Sequence, residues 1–272
     1  SHGSIRYFNK SKNKDVKEAI AAAKAIENKK KENVPNGREE SHSLEIGKLV
    51  DKLVEKTKDL PLTVTGKNTP PVYGPTRNGW GTFARVKSMQ GEHPIGSRPS
   101  VKNNDNFDKI NIRKVDTGAL YVKGHLLNDN LGGPGNTWSN LTPITSDANS
   151  DHKNNFEKIA KIAVNGTPEK ITKSPKKAIG AIEDFSCVAT YGRILPASAE
   201  LLMDDKTDKY PKGWKDEWDE TVVLNLLKAE QFVPLTIECS VKYKNKLSDN
   251  WMIHKYVVKN DISYGNLSKY NL

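Results

Sequence analysis

The sequence TGALYVKGHLLNDNLGGPGNTWSNLTPITSDANSDHKNNFE, residues 117–157, is the most informative stretch of this chain. It contains, in order, a Gly-His pair, a glycine-rich turn, an SNLTP segment, and a segment whose pattern is typical of a helix. Three side chains in this stretch are suited to catalysis or metal binding: His125, Asn149 and Glu157. The order of these features predicts a strand, a loop and a helix that bring an imidazole, a carboxamide and a carboxylate to one site.

These three groups suit the hydrolysis of a phosphodiester. Such a reaction needs a general base that activates water and a cation that neutralises charge at the phosphorus and the leaving oxygen. A histidine, with an ordinary pKa of ~6.5, suits the first task. Mg²⁺ keeps most of its waters and accepts one or two oxygen ligands from protein, which Asn149 and Glu157 offer. If Asn149 opens the helix, Glu157 lies about two turns further on roughly the same side.

The stretch resembles the DNA/RNA non-specific endonucleases of the ββα-metal (His-Me finger) superfamily. The signature of that family is a D-R-G-H strand, an S-N-I-T-P-Q-type segment, an asparagine six positions after its proline, and a glutamate eight positions further on. Residues 122–125 (VKGH) and 139–143 (SNLTP) are similar to the first two elements, and Asn149 and Glu157 have the same spacing. The GHL…GGPG…NL form especially resembles toxin domains of bacterial polymorphic and contractile-injection systems.

The resemblance implies a fold and a role for each matched residue. His125 is expected to be the general base, Asn149 a direct Mg²⁺ ligand, and Glu157 a carboxylate that holds metal-bound water, with Mn²⁺ as a second usable ion. Lys123 takes the position of the family arginine beside the histidine. The expected fold class is α+β, with a central, mostly antiparallel sheet, packed helices and a ββα-metal motif. DNA and RNA are the expected substrates, cleaved to 5′-phosphate products.

Two positions depart from the family signature. Val122 and Lys123 stand where the family has aspartate and arginine. Lys123 keeps the positive charge but lacks the bidentate fork with which arginine binds phosphate, and Val122 lacks the carboxylate that supports the metal site. These changes bear on metal affinity and rate more than on the fold. Asp129 and Asp147 are candidate replacements for the missing carboxylate.

The charge balance favours an anionic partner. The chain has a formal net charge of +10 and a pI near 9.3, which is typical of proteins that bind nucleic acid or acidic membranes. A soluble, lysine-rich protein has the same composition, and a run of lysines can be simply a solvated face. Beside a nuclease-like site, however, we expect the basic residues to contact phosphates. The predicted contacts are Lys123, Arg85, Lys153, Lys158 and Lys161.

Several of these features have a plainer structural interpretation. Asn149 can be a helix N-cap, because asparagine is a favoured cap, and Glu157 can be a solvated helix residue. The turn at residues 132–135 is more typical of a close backbone approach than of a phosphate-binding loop, since no Gly-Lys-Ser/Thr helix follows it. His152 and Asp151 are expected at the surface.

The two cysteines, Cys187 and Cys239, lie in apolar strand-like runs. Neither a disulfide framework nor a zinc site is indicated, because the sequence has no CxxC pair and no clustered histidines. We expect two buried free thiols.

The residue pattern of the chain changes at about residue 60. Residues 13–31 and 44–60 have helical apolar spacing, so residues 1–60 are expected to form a helical accessory segment and residues 61–272 the nuclease domain. Residues 1–4 (SHGS) are typical of an expression-tag remnant, so the sequence does not reveal the native start. Strands are predicted at 82–89, 110–115, 118–127, 179–195, 231–243 and 251–258, a long loop at 90–108, and a helix at 149–164.

No apolar run approaches the roughly 18 residues that span a bilayer, so no membrane insertion is expected. The resemblance implies a bacterial effector that is exported or injected into a target cell, and partners that include a cognate inhibitor or a delivery-particle protein. Two alternatives remain open at this point. One is a catalytically silent nucleic-acid-binding module of the same fold, and the other is a packaging domain that the N-terminal helices dock in a delivery particle.

Overall fold

The computed structural model describes residues 14–60, 62, 67–115, 118–177, 179–193, 220–244 and 250–262. These residues form an α+β fold in which two short strand pairs accompany one five-stranded sheet. The strands are β1 (Val72–Tyr73), β2 (Phe83–Met89), β3 (Lys114–Val115), β4 (Gly118–Ala119), β5 (Tyr121–His125), β6 (Leu141–Thr145), β7 (Ala181–Thr190), β8 (Thr236–Lys244) and β9 (Met252–Lys259).

The described residues also form six helices. They are α1 (Lys14–Lys31), α2 (Glu39–Thr57), α3 (Asp105–Asn111), α4 (Ser146–His152), α5 (Lys158–Asn165) and α6 (Glu220–Glu230). A π-helical turn, Lys153–Glu157, joins α4 directly to α5. No helix in the described ranges is long and apolar enough to cross a membrane.

The five-stranded sheet has the order β1-β2-β7-β8-β9, and every neighbouring pair is antiparallel. This confirms the prediction of a mostly antiparallel sheet and of a closing hairpin, which is β8–β9. The strand expected at 179–195 is observed as the shorter β7, and β2 begins one residue later than predicted. Because side chains alternate along each strand, one sheet face packs on α4 and α5 and the other on the N-terminal helices.

The helices α1 and α2 form a hairpin that packs on β1 and β2. The apolar residues of both helices share a buried cluster with Val72 and Phe83 of the sheet. Arg85, on the same sheet face as Phe83 two positions earlier, donates hydrogen bonds to the carbonyls of Thr57 and Leu60 at 3.1 and 2.6 Å. The guanidinium thereby binds the last residue of α2 and the turn that follows the helix.

Some segments differ from their predicted structure. The strand expected at 231–243 begins only at Thr236. Asp105–Asn111 is helix α3, where a loop and the start of a strand were expected. The Asn104 side chain accepts a hydrogen bond from the Phe107 backbone N–H and caps the helix, while Phe107 and Ile110 turn inward at helical spacing. The strand predicted at 110–115 is therefore wrong except for β3. The predicted polar loop with Trp214 and Trp218 lies outside the described residues.

A second hairpin, β5–β6, carries His125 and leads into α4, the helix of Asn149. Its register pairs Tyr121 with Thr145 and His125 with Leu141. A side chain at Gly124 would meet Ile144 at 2.2 Å, so the glycine lets Ile144 pack across β5. Thr145, not Asn149, is the N-cap of α4, since its hydroxyl accepts a hydrogen bond from the Ala148 N–H.

Candidate active site

His125 is half-buried at the end of β5, and backbone fixes its orientation. Its Nε2 lies 3.0 Å from the carbonyl oxygen of Ser97. Because a carbonyl can only accept a hydrogen bond, the neutral imidazole carries its proton on Nε2 and leaves Nδ1 as the basic nitrogen. A ring held in this way has one nitrogen available to take a proton.

Close contact between two loops brings Ser97 to the histidine. The Ser97 and Ser100 N–H groups donate to the carbonyls of Gly133 and Gly135. A side chain at Gly96 would lie 2.0 Å from the Gly133 carbonyl oxygen. The glycine-rich turn therefore permits a close backbone approach beside His125, which confirms the structural interpretation of that turn.

Asn140, the asparagine of the SNLTP segment, ties the base of the hairpin to the loop that follows β5. It is fully buried. Its Oδ1 accepts a hydrogen bond from the Leu127 N–H, and its Nδ2 donates to the carbonyls of Leu127 and Pro134. Three backbone groups near His125 thus depend on one side chain.

The π-helical turn determines where Glu157 lies. In a regular α-helix, residues eight apart differ by about 80° around the axis, whereas residues seven apart differ by about 20°. A π-helical turn takes up one extra residue, so Glu157 comes onto roughly the same helix face as Asn149, eight positions earlier. Glu157 is 5 % exposed, and its Oε2 accepts a hydrogen bond of 2.9 Å from Asn128.

Asn149 is exposed in α4, and within the described residues its carboxamide has no hydrogen-bond partner. The Asn149 amide oxygen and the Glu157 carboxylate lie on one helix face. Both are hard oxygen ligands of the kind that Mg²⁺ binds. Within the same residues, no hydrogen bond joins His125 to Asn149 or to Glu157. Glu157 is connected to the histidine's surroundings through Asn128, which lies three positions after His125.

The two positions that depart from the family signature are both engaged in packing. The Lys123 Nζ donates to the Val101 carbonyl at 2.7 Å and lies 5.5 Å from the ring centres of Phe107 and Trp138. Val122 packs against the main core. Lys123 therefore holds the loop that also carries Ser97, and Val122 contributes apolar contact rather than charge.

The candidate replacement carboxylates lie at the starts of two helical segments. Asp129 accepts a hydrogen bond from the Asn130 N–H within its own short 3₁₀ turn. Asp147 is exposed in the first turn of α4.

The predicted phosphate contacts separate into two groups. Lys153 and Lys158 are exposed on the helix that carries Glu157. Lys161 is only 3 % exposed, and Arg85 binds the end of α2. Lys161 and Arg85 therefore lie outside the exposed surface on which a phosphate backbone can be held.

One cluster next to this site was missed by the sequence interpretation. His152 is 1 % exposed, so its predicted surface position is wrong. The expectation of buried free thiols at Cys187 and Cys239 is confirmed. However, the fold brings these thiols to His152, with the three ligand atoms within 4.8 Å of one another, so the absence of clustering in the sequence was misleading.

Burial and mutual contact shift the pKa values in this cluster. Burial alone would lower the pKa of His152, but the charges of Cys239 and Glu157 outweigh it and raise the pKa to about 9. Burial would raise the pKa of Cys239, but the hydrogen bond with Cys187 and the charge of His152 lower it to about 7. The pair is thus polarised toward imidazolium and thiolate, while burial raises the pKa of Cys187 well above its usual value.

No protein-family model and no curated protein matches this chain. The chemistry of the site and the spacing of its residues therefore carry the functional conclusion.

Proposed function

We propose that this chain is a Mg²⁺-dependent nuclease of the ββα-metal type that hydrolyses phosphodiester bonds in DNA and RNA without sequence preference. One observation carries the proposal. A hairpin holds a histidine whose Nε2 is bound by a backbone carbonyl, and it leads into a helix with an uncommitted asparagine and a glutamate on one face. The sequence spacing of His125, Asn149 and Glu157 and this hairpin–helix arrangement support the same assignment.

In this proposal the chain's own groups position a water and a phosphate. His125 takes a proton from the attacking water at Nδ1, while the Ser97 carbonyl keeps the ring in the orientation that leaves Nδ1 free. Asn149 and Glu157 would hold the ion, and Asn128 fixes the Glu157 carboxylate. When bound, Mg²⁺ supplies positive charge that stabilises the scissile phosphate and the leaving oxygen.

Binding of the substrate is assigned to phosphate contacts rather than base contacts. Lys153 and Lys158 are exposed on the same helical segment as Glu157. Lysines that contact only phosphate carry no sequence information, which agrees with an enzyme that accepts both nucleic acids. The net charge of +10 favours such a substrate.

The biological setting follows from the family resemblance alone. We propose a bacterial toxin or effector domain that is exported or injected into a target cell, with a cognate inhibitor or a delivery-particle protein as partner. The α1–α2 hairpin, which packs on β1 and β2, is the segment through which a delivery particle would hold the chain.

A second candidate function is a catalytically silent nucleic-acid-binding module. The specific observation in its favour is the use of positions 122 and 123. Val122 packs half-buried against the core, and the Lys123 ammonium is bound to the Val101 carbonyl, so neither supplies the group that the family signature has there. Such a module would bind nucleic acid in a salt-sensitive way and leave it intact.

Incubation of the purified chain with plasmid DNA and with RNA separates the two candidates. The nuclease proposal predicts cleavage with Mg²⁺, none after addition of a chelator, and recovery when excess Mg²⁺ is returned. It also predicts that Asn149→Ala and Glu157→Ala lose cleavage while their circular dichroism remains that of the folded chain. A gel shift without cleavage under every metal condition would establish the binding module instead.

A further inference from the structure

Three side chains without a role in the proposed nuclease reaction meet in the core beside the candidate active site. Cys187 on β7 and Cys239 on β8 are opposed in the strand register, and their sulfurs are 2.8 Å apart. His152 of α4 covers them, with Nε2 at 3.5 Å from each sulfur. All three residues are at most 4 % exposed. The fold therefore brings one nitrogen and two sulfur donors from three elements to one point.

We propose that His152, Cys187 and Cys239 bind one thiophilic metal ion, for which Zn²⁺ is the representative. Thiolate and imidazole ligands select Zn²⁺ or Cu⁺, whereas Mg²⁺ requires hard oxygen ligands. The ion bound here is therefore different from the one that the nuclease site uses. The proposal does not depend on the nuclease function, because its three ligands are different and its role is structural, between helix and sheet. The two sites share only Glu157, which here faces the His152 imidazole rather than the ion.

The surroundings of the imidazole support a ligand role. The Oε1 of Glu157 lies 3.6 Å from the Nδ1 of His152, on the opposite side of the ring from the sulfurs. Metal-bound histidines generally direct their second nitrogen at a carboxylate, which fixes the tautomer and the ring plane. Glu157 is itself fixed by Asn128. The stacking of the His152 ring on Phe156, at a centroid distance of 5.8 Å and an interplanar angle of 9°, restricts it further.

A purely structural explanation accounts less well for the cluster. An ion pair of His152 and Cys239 satisfies Nε2 but gives no role to the Cys187 sulfur, which lies at the same 3.5 Å and, as a thiol, is only a weak hydrogen-bond partner. A disulfide would use both sulfurs but give the imidazole no role. A metal ion satisfies all three groups at once. With Zn–S bonds of ~2.3 Å in tetrahedral geometry, the sulfurs would be about 3.8 Å apart, so the two thiols separate by about 1 Å through side-chain rotation.

The test is metal binding by the full chain, reduced and stripped of metal, with Co²⁺ as the spectroscopic probe and Zn²⁺ as the competitor. We expect one ion per chain, a thiolate-to-cobalt charge-transfer band, and loss of that band when Zn²⁺ is added. Cys239→Ser should weaken Zn²⁺ binding by more than about 100-fold, because loss of an outer partner alone weakens it 10- to 100-fold. Glu157→Gln should weaken it by about 10-fold. His254→Gln is the matched control and should bind as the wild type does, because His254 faces the Asn155 carbonyl.

Absence of a thiolate-to-cobalt band in the folded, reduced wild-type chain would overturn the proposal. So would Zn²⁺ binding that Cys239→Ser and Cys187→Ser leave unchanged. If the serine variants do not fold, the wild-type cobalt spectrum decides alone. Finding only a Cys187–Cys239 disulfide, with no metal bound after reduction, would also count against the site. Cleavage of nucleic acid is not a readout, so failure of the nuclease proposal leaves these outcomes unaffected.

Discussion

The Nε2 of His125 and the carbonyl oxygen of Ser97 are 3.0 Å apart, so a backbone group rather than a side chain orients the proposed catalytic base. Substitution of Ser97 keeps a backbone carbonyl at this position but removes the Oγ that accepts a hydrogen bond from the Gly135 N–H. The position of the carbonyl depends most directly on the glycines that let the two loops approach each other. A side chain at Gly133 would lie 1.6 Å from the carbonyl oxygen of Leu127. A substitution at Gly133 therefore tests whether these loops control the orientation of the His125 ring.

Gly133→Ala should lower kcat for nucleic-acid cleavage by about 100-fold, the typical effect of a misplacement of ~1 Å at a catalytic group. The added methyl group must move the loop that holds Ser97. Steady-state cleavage kinetics measure the effect. Gly47→Ala is the control, because Gly47 lies inside α2 with open space around it, so alanine should stabilise the helix by ~0.5–1 kcal/mol and leave cleavage unchanged. Wild-type kcat in Gly133→Ala would contradict the backbone account.

Asn140→Ala should lower the free energy of unfolding by about 3 kcal/mol. The substitution leaves the Leu127 N–H and the carbonyls of Leu127 and Pro134 without their partner in a buried site. Urea denaturation followed by circular dichroism measures the change. Asn33→Ala, at an exposed position in the loop between α1 and α2, should change stability by less than ~0.5 kcal/mol. Equal stability of the two variants would show that the Asn140 bonds do not hold the loop.

The chain should lose stability in alkali through two half-buried tyrosines whose hydroxyl oxygens are buried. Within the described residues the hydroxyls of Tyr73 and Tyr191 have no hydrogen-bond partner, and burial raises both pKa values far above that of a free phenol. Above pH ~10 the unfolded chain releases these protons and the folded chain keeps them, so the free energy of unfolding falls as pH rises, by about 1.4 kcal/mol per pH unit for each phenol.

Tyr191→Phe should remove about half of that slope without loss of stability near pH 7, since the hydroxyl it deletes is unsatisfied. Urea denaturation at a series of pH values from 8 to 11 measures both effects. An unchanged slope in this variant would mean that Tyr191 titrates normally in the folded chain.

Replacement of both Lys153 and Lys158 by Gln should weaken DNA binding and lower the salt dependence of log K by about 2, because each phosphate contact contributes a slope of ~0.9. Binding should be measured at several salt concentrations in chelator, so that no cleavage occurs. Lys17 and Lys24, both exposed on α1, provide a control with the same change of charge. Equal salt slopes for the two double variants would exclude Lys153 and Lys158 as phosphate contacts.

Local patterns in the sequence predicted much of the fold. Alternation identified β2, β7 and the β8–β9 hairpin, and helical spacing identified α1 and α2, because one face of each element is buried. The glycine-rich turn was interpreted correctly, since glycine is needed where one backbone passes close to another. Helix α3 was missed because only two apolar residues, Phe107 and Ile110, turn inward within a polar stretch.

The part of the site that the sequence did not reveal depends on contacts between distant segments. The Ser97 carbonyl is invisible in any side-chain pattern, although it determines which nitrogen of His125 is basic. His152 lies far along the chain from Cys187 and Cys239, so no spacing motif connects them. The sequence indicated only that Cys187 shares the inward face of its strand with Phe185. That pattern predicted burial of the thiol but not its contact with His152.

The decisive measurement is cleavage of plasmid DNA and RNA by the wild type, by His125→Ala and by the control His254→Ala, each with Mg²⁺ and with chelator. We expect Mg²⁺-dependent cleavage by the wild type and by His254→Ala, and a rate about 10²- to 10⁴-fold lower for a folded His125→Ala, the usual contribution of a general base. Cleavage by His125→Ala at the wild-type rate, or cleavage by the wild type that chelator does not stop, would contradict the nuclease proposal.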